Sequence, residues 1–195
     1  MLHPYVRRFP PRTPCAMDRW LGPGWRLLER HAVEVAAPPD AALEALARLR
    51  LRELPAVRAL LALRGMGATP ETTLLQYFST SPFVALDEVH GAERVAGILL
   101  PARERDGRRT VRRQPRSADE FRRALVRAPF AAIATFRAEP LAHGAKLWTE
   151  TWVRTQGAPA AVLFSTYWLG VGPFSAWIRR IFLREARARA EARVL

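Results

Sequence analysis

The sequence predicts one α+β domain: a curved antiparallel β-sheet wrapped around a long C-terminal α-helix. Three observations carry that expectation. Stretches of period-two alternation come in the order one strand, then helices, then a run of strands. The later strands are joined by short connections such as His90-Gly91-Ala92, which makes neighbours antiparallel. The chain then ends on its clearest amphipathic helix, and hairpin-linked strands with helices on one side make a layered fold. At 195 residues and 49% apolar content there is material for one domain with a substantial core.

The elements follow in order. Residues 1–24 read as a disordered, basic, proline-rich tail ending at Gly22-Pro23-Gly24, and Met17-Asp18-Arg19-Trp20 reads as an alternative start. Arg7-Arg8-Phe9 is like a twin-arginine signal, but Pro10-Pro11-Arg12-Thr13-Pro14 stands where such a signal needs an apolar run, so no signal peptide is expected. The domain proper is expected over 25–195, with its first strand at His31-Ala32-Val33-Glu34-Val35. Pro38-Pro39-Asp40 opens a helix whose buried stripe is Leu43, Leu46 and Leu49. Pro55 opens a second helix carrying Val57, Leu60, Leu61 and Arg64, and Gly65 ends it. Thr69-Pro70-Glu71 marks a third start, ahead of Leu74, Leu75 and Phe78.

Strands are predicted over 83–89 and 93–100, followed by a mobile, arginine-rich loop over 101–116 that is longer than most connections. Ser117-Ala118-Asp119-Glu120 has the form of a capping box, and the short helix behind it carries Phe121 and Leu125. Phe130, Ala132, Ala134 and Phe136 alternate along the next strand and are assigned inward. In the strand over 146–154, Lys146, Glu150 and Arg154 share a face with Trp148 and Trp152. Leu147, Thr149, Thr151 and Val153 share the other, which is assigned inward. Two tryptophans are then left outside beside cations, an arrangement that cation–π contact stabilises.

Residues 155–178 carry no charge and are long enough for a membrane span, which needs roughly 20 residues. Pro159 and the Gly170-Val171-Gly172-Pro173 run interrupt them, so two buried helices meeting at a corner are expected, and membrane insertion is not. The last helix is predicted to have Pro173 in its first turn and one stripe of Phe174, Trp177, Ile178, Ile181 and Phe182. Arg180, Arg184 and Arg187 lie on another face, and Glu185 with Arg189 forms an i,i+4 pair.

The net charge of +13 raises nucleic acid as a partner, but its distribution argues against a specific site. Residues 1–30 carry +4, residues 103–127 carry +6 and residues 179–195 carry +4, and Lys146 is the single lysine. Arginine with abundant alanine and proline is also what GC-rich coding produces. Cys15 is the single cysteine, so there is no internal disulfide, and it lacks partners at zinc-ligand spacing.

Several of these segments carry a resemblance. His31-Ala32-Val33-Glu34-Val35-Ala36-Ala37-Pro38-Pro39-Asp40-Ala41, Leu147-Trp148-Thr149-Glu150-Thr151-Trp152-Val153, Phe164-Ser165-Thr166-Tyr167-Trp168 and Pro173-Phe174-Ser175-Ala176-Trp177-Ile178-Arg179-Arg180 together resemble a bacterial branch of the SRPBCC/START-like superfamily. That is the helix-grip fold of polyketide cyclases, lipid-transfer domains and birch-allergen relatives. The resemblance spans about residues 25–192. It departs from the branch at Trp152, where an arginine is expected, and at Gln156-Gly157, where an aspartate is expected. It implies a cavity between sheet and terminal helix for an apolar or amphipathic small molecule, and an oxidoreductase as a possible partner. Gly65-Met66-Gly67 and Gly170-Val171-Gly172 lack the third glycine and the strand of a dinucleotide site.

The residues then leave three functional classes open. A binding module would line its pocket with Phe136, Thr149, Thr151, Phe164, Tyr167, Trp168 and Trp177. An enzyme of cyclase or dehydratase type would need an inward carboxylate, with Glu88 and Glu150 the strand carboxylates available; both are expected to face outward. A structural domain serving a partner protein would fill its core instead. His3, His31, His90 and His143 show no metal spacing and no serine sits in a Gly-x-Ser-x-Gly elbow, so no catalytic residue, metal or cofactor is assigned. Lack of a signal and of a span points to the cytoplasm.

Overall fold

The structure, a computed structural model, describes residues 13–63, 65–80, 82–100 and 114–192. Its strands are β1 (Trp25–Val35), β2 (Val84–Val89), β3 (Glu93–Leu100), β4 (Phe130–Leu141) and β5 (Gly144–Thr155). They form one open antiparallel sheet in the spatial order β1-β5-β4-β3-β2. Strands β2 to β5 are a meander of neighbours in sequence, and β1 closes the far edge beside β5. Between β1 and β2 lie α1 (Pro39–Ala47), α2 (Pro55–Leu63) and α3 (Leu74–Ser79). Helix α4 (Ala118–Leu125) sits between β3 and β4, and α5 (Ala158–Glu191) ends the described chain. The α+β class expected from the sequence is the one found, with the long C-terminal helix laid across one sheet face, chiefly over β1 and β5.

Strand pairing sorts the residues into two faces. Ala132 lies opposite Val153, Ala134 opposite Thr151, Phe136 opposite Thr149 and Ala138 opposite Leu147. Successive side chains alternate across a strand, so these pairs share the inner face. Against it pack α1, through Leu43 and Leu46, and the carboxyl half of α5, through Ile178, Phe182, Leu183 and Ala186. The other face carries a second core of Val95, Leu99, Ala131 and Ile133, covered by Phe121 of α4 and by Met17 and Trp20. Gly97 lies at the centre of that contact. A Cβ there would stand 2.7 Å from the Phe121 ring and 2.8 Å from Leu86, so the missing side chain is what lets α4 reach the sheet.

The second core corrects the expected tail. Ala16–Trp20 form a 3-10 helix with Met17 fully buried, and Cys15 donates its N–H to Asp18 Oδ2 at 2.8 Å at its start. Glu93, buried on β3, accepts from the N–H groups of Ala16 (2.6 Å) and Met17 (3.3 Å) and from the Thr135 hydroxyl (2.9 Å). Arg137 Nη1 donates to Thr13 O at 3.2 Å. Residues 13–20 are therefore part of the domain; residues 1–12 lie outside the described residues. The face of β5 opposite α5 is likewise covered. Trp152 packs into the second core, and Trp148 holds Lys146, Arg30 and Arg137 at 4.7, 5.8 and 5.5 Å from its ring.

Other boundaries shift for local reasons. Strand β1 begins at Trp25, six residues ahead of the expected strand, because antiparallel pairing with β5 continues from Val35 to Trp25 through one bulge at Leu28. Helix α3 is capped by Thr73, whose hydroxyl accepts from Gln76 N (3.2 Å) while Gln76 returns the bond to Thr73 N (2.9 Å). Ser117 caps α4 as expected, but Glu120 reaches back to Arg116 N. Of the loop expected over 101–116, residues 101–113 lie outside the described residues, as does Arg64 of the second expected helix. Gln114 is anchored through its Nε2 to Leu99 O at 2.7 Å. At the other end of the chain Arg189 pairs with Glu53 (2.8 Å), and Glu185 pairs with Arg184.

The largest difference is α5 itself. The corner expected at Gly170-Val171-Gly172-Pro173 does not form, and one helix of 34 residues runs through it. Proline in a helix interior frees the carbonyl four residues back. Here Pro173 and Leu169 both lie on the solvent side, where water can take up the freed group.

Candidate functional site

Between the inner sheet face and α5 lies a cleft of about 860 Å³, counting its open mouth. Phe164, Tyr167 and Trp168 of α5 form one wall, with the Phe164 and Trp168 rings stacked at 5.9 Å and 13°. Ala132, Ala134 and Thr151 form the sheet side. Tyr77, Phe78 and Phe83 close one end as a cluster of rings 4.9 to 5.5 Å apart. A smaller cleft of about 510 Å³ lies beyond Phe78, among α1, α3, β2 and β3.

The polar part of the cleft depends on the bulge in β1. Leu27 pairs with Trp152 on the outer face, and the next pair is Glu29 with Thr151 on the inner face. The extra residue, Leu28, thus turns Glu29 inward, since a one-residue slip exchanges the faces of a strand. Glu29 Oε1 accepts from Ser175 Oγ (2.6 Å), Arg179 Nε (2.8 Å) and Thr151 Oγ1 (3.4 Å). Glu29 Oε2 lies 3.3 Å from His31 Nε2. Arg179 Nη1 donates to Thr149. Arg179 is 7% exposed and lines the cleft with Thr151 and Ser175.

Burial alone would raise the Glu29 carboxyl. The Arg179 guanidinium, the hydrogen bonds from His31 and Ser175 and the charge of His31 outweigh it and hold the pKa down at about 2. Glu29 is therefore ionised at neutral pH and a very weak base, a counter-ion for Arg179 that is poorly suited to proton abstraction.

The structure brings four of the seven expected site residues, Thr151, Phe164, Tyr167 and Trp168, to this cleft. Phe136 lies behind it, 4.8 Å from the Phe78 ring, and Thr149 is fully buried beneath Arg179. Trp177 is 46% exposed and points away. Its assignment fails because α5 is unbroken: the sheet-facing series runs through Phe164, Trp168, Gly172, Ser175, Arg179 and Phe182 at helical spacing, and Trp177 falls opposite. Neither expected carboxylate reaches the cleft. Glu88 is exposed and paired with Arg94 at 2.8 Å. Glu150 faces away from α5 but is 0% exposed, bound by Arg30 Nε (2.8 Å) and Trp152 Nε1 (3.0 Å). No cluster of three or more metal-ligating side chains occurs among the described residues.

Glu29, Ser175 and Arg179 were not singled out by the sequence reading. One signal was present: Ser175 and Arg179 stand four apart, on the same helix face as Phe182 and Ala186. An arginine inside an apolar stripe implies a buried counter-ion.

No family model matches the sequence, and neither does any curated protein. Among solved structures, the di-domain aromatase/cyclase StfQ of the steffimycin biosynthetic pathway aligns with 85% of this chain at 12% identity and a TM-score of 0.36. The chain spans about half of StfQ, 51%. The Zhui aromatase/cyclase from Streptomyces sp. R1128 aligns at 15% identity and a TM-score of 0.35, over 88% of this chain and 96% of its own. A protein from Chromobacterium violaceum aligns at 12% identity and 0.30, over the same shares. At such TM-scores these likenesses fix neither family nor activity.

Proposed function

We propose that the protein binds an amphipathic small molecule in the cleft beneath α5, with its apolar body against Phe164 and Trp168 and a polar oxygen at Arg179. The observation that carries this reading is a nearly buried arginine, ion-paired with Glu29, that lines an otherwise apolar cleft together with Ser175 and Thr151. Ligand pockets are mostly apolar and place a few polar groups in their walls to orient what they bind. The hydroxyl protons of Ser175 and Thr151 go to Glu29, which leaves their lone pairs to accept from a ligand. A carboxyl, phenol or enol oxygen fits a site with one donor and two acceptors. A cyclase or dehydratase would need a base here, and Glu29 is held too acidic to serve as one.

Native mass spectrometry of the freshly purified protein is expected to show a bound mass that is lost on denaturation. An environment-sensitive apolar dye is expected to bind at one site, with Trp168→Ala weakening it by roughly ten-fold through lost stacking and apolar contact. Leu163→Ala, on the outer face of α5, should leave affinity unchanged. Thermal unfolding of each variant separates lost binding from lost folding. Absence of any bound mass together with no dye binding by the parent would overturn the reading.

A further inference from the structure

The outer face of α5 changes character along its length. Val162, Leu163, Leu169, Phe174 and Trp177 are exposed there, from 46% at Trp177 to 67% at Val162, and Tyr167 stands at its margin. Further along the same helical face come Arg180, Arg184 and Arg187, all exposed. Residues 158–177 span about 30 Å at the helical rise and carry no charge. Cations also stand at the amino end. Gln156 donates to Leu125 O (3.2 Å) and Val126 O (3.0 Å), which brings exposed Val126, Arg123 and Arg127 beside the start of α5.

We propose that this face docks on an anionic lipid surface, with Leu163, Phe174 and Trp177 entering the interface and the arginines at either end meeting lipid phosphates. Large exposed apolar patches on a folded chain mark interaction sites. An amphipathic helix with tryptophan and phenylalanine beside arginines lies in the plane of a membrane and is held by apolar burial together with charge. Charge selects the occupant. A second copy would bring another +13 to a face already ringed with arginine, whereas an anionic bilayer neutralises it. Helix α5 is long and apolar enough to cross a membrane, but its inner face holds Arg179 and Ser175 on Glu29 and packs Phe182 on the core. It therefore rests on the surface without spanning it. The inference stands on exposed residues alone and does not depend on a ligand in the cleft.

The test is co-sedimentation with phosphatidylcholine vesicles, with and without phosphatidylglycerol. The full chain should bind the anionic vesicles and release as salt rises. The charge-preserving double variant Leu163→Ser/Phe174→Ser should bind roughly ten-fold more weakly, because the apolar contribution is lost. Arg180→Gln/Arg184→Gln should bind more weakly and with a shallower salt dependence. All four positions are exposed, so thermal unfolding should stay unchanged and any loss reads as lost docking. Failure of the parent to bind overturns the proposal. So does equal binding by the serine variant, which would mean attraction by charge alone. A concentration-dependent dimer abolished by the serine variant, without vesicle binding, would assign the face to a second copy.

Discussion

Glu29 and Arg179 meet in a nearly dry setting, and that decides what each is worth. Removing two charges from water costs several kcal/mol per ion, so the intact pair adds little net stability, while breaking one side strands the other charge. Glu29→Gln should therefore lower the unfolding free energy by about 3–5 kcal/mol, and Glu29→Gln combined with Arg179→Met should recover most of the loss. Denaturant titration of the singles and the double checks this coupling. The pair also sets an acid response. A carboxyl held at about 2, against 4.5 when free, contributes fully above the free value and loses that contribution as pH falls toward about 2. Parent stability should drop through that window more steeply than that of Glu29→Gln. Parallel pH curves would show that Glu29 is not held ionised by its partners.

Helix α5 joins the two functional readings, because one side walls the cleft and the other meets the surroundings. Gly172 sets how closely that wall is built: a Cβ there would stand 2.9 Å from Trp168 Nε1. Gly172→Ala should push the indole off the Phe164 ring, weakening dye binding and altering the near-ultraviolet circular dichroism of the tryptophans. Helicity should not fall, since alanine is the better helix former. Unchanged binding would mean the stack at 5.9 Å is not part of the wall. The same helix shows which features were legible in sequence. Strands β2 and β3, the proline-opened α1 and α2, the Ser117 cap and the inward face of β5 follow from rules acting within a few residues, and those were readable. The glycine–proline break was also a local signal, but tertiary packing of Ser175, Arg179 and Phe182 on the sheet overrode it and carried Trp177 outward. The bulge at Leu28 leaves little trace in composition, and Glu29 depends on it. Of the expected aromatics, Phe164, Tyr167 and Trp168 stand at the cleft while Phe136 and Trp177 do not, and the Glu29–Arg179 pair leaves no sequence signal of this kind, because ion pairs across 150 residues have no periodicity.

The whole molecule is a sheet with a core on each face, and the central strands serve both. Strand β4 sends Phe136 and Ala138 into the core beneath α1 and α5, and Ala131 and Ile133 into the core beneath α4 and the 3-10 helix. Glu93 and Arg137 extend this coupling to the amino-terminal segment, by holding the N–H groups of Ala16 and Met17 and the carbonyl of Thr13. Loosening one face thus removes backing from strands that the other face needs, and the two cores should melt as one cooperative unit. Trp20→Ala empties a large aromatic site on one face, where the ring meets Phe121 edge-on at 6.2 Å, and Phe182→Ala empties one on the other. Each should cost about 3–5 kcal/mol. Both should shift a single calorimetric transition whose calorimetric and van't Hoff enthalpies agree. Two transitions, with Trp20→Ala lowering just one of them, would show that the layer formed by α4 and the 3-10 helix is a separable unit docked on a self-sufficient sheet and helix.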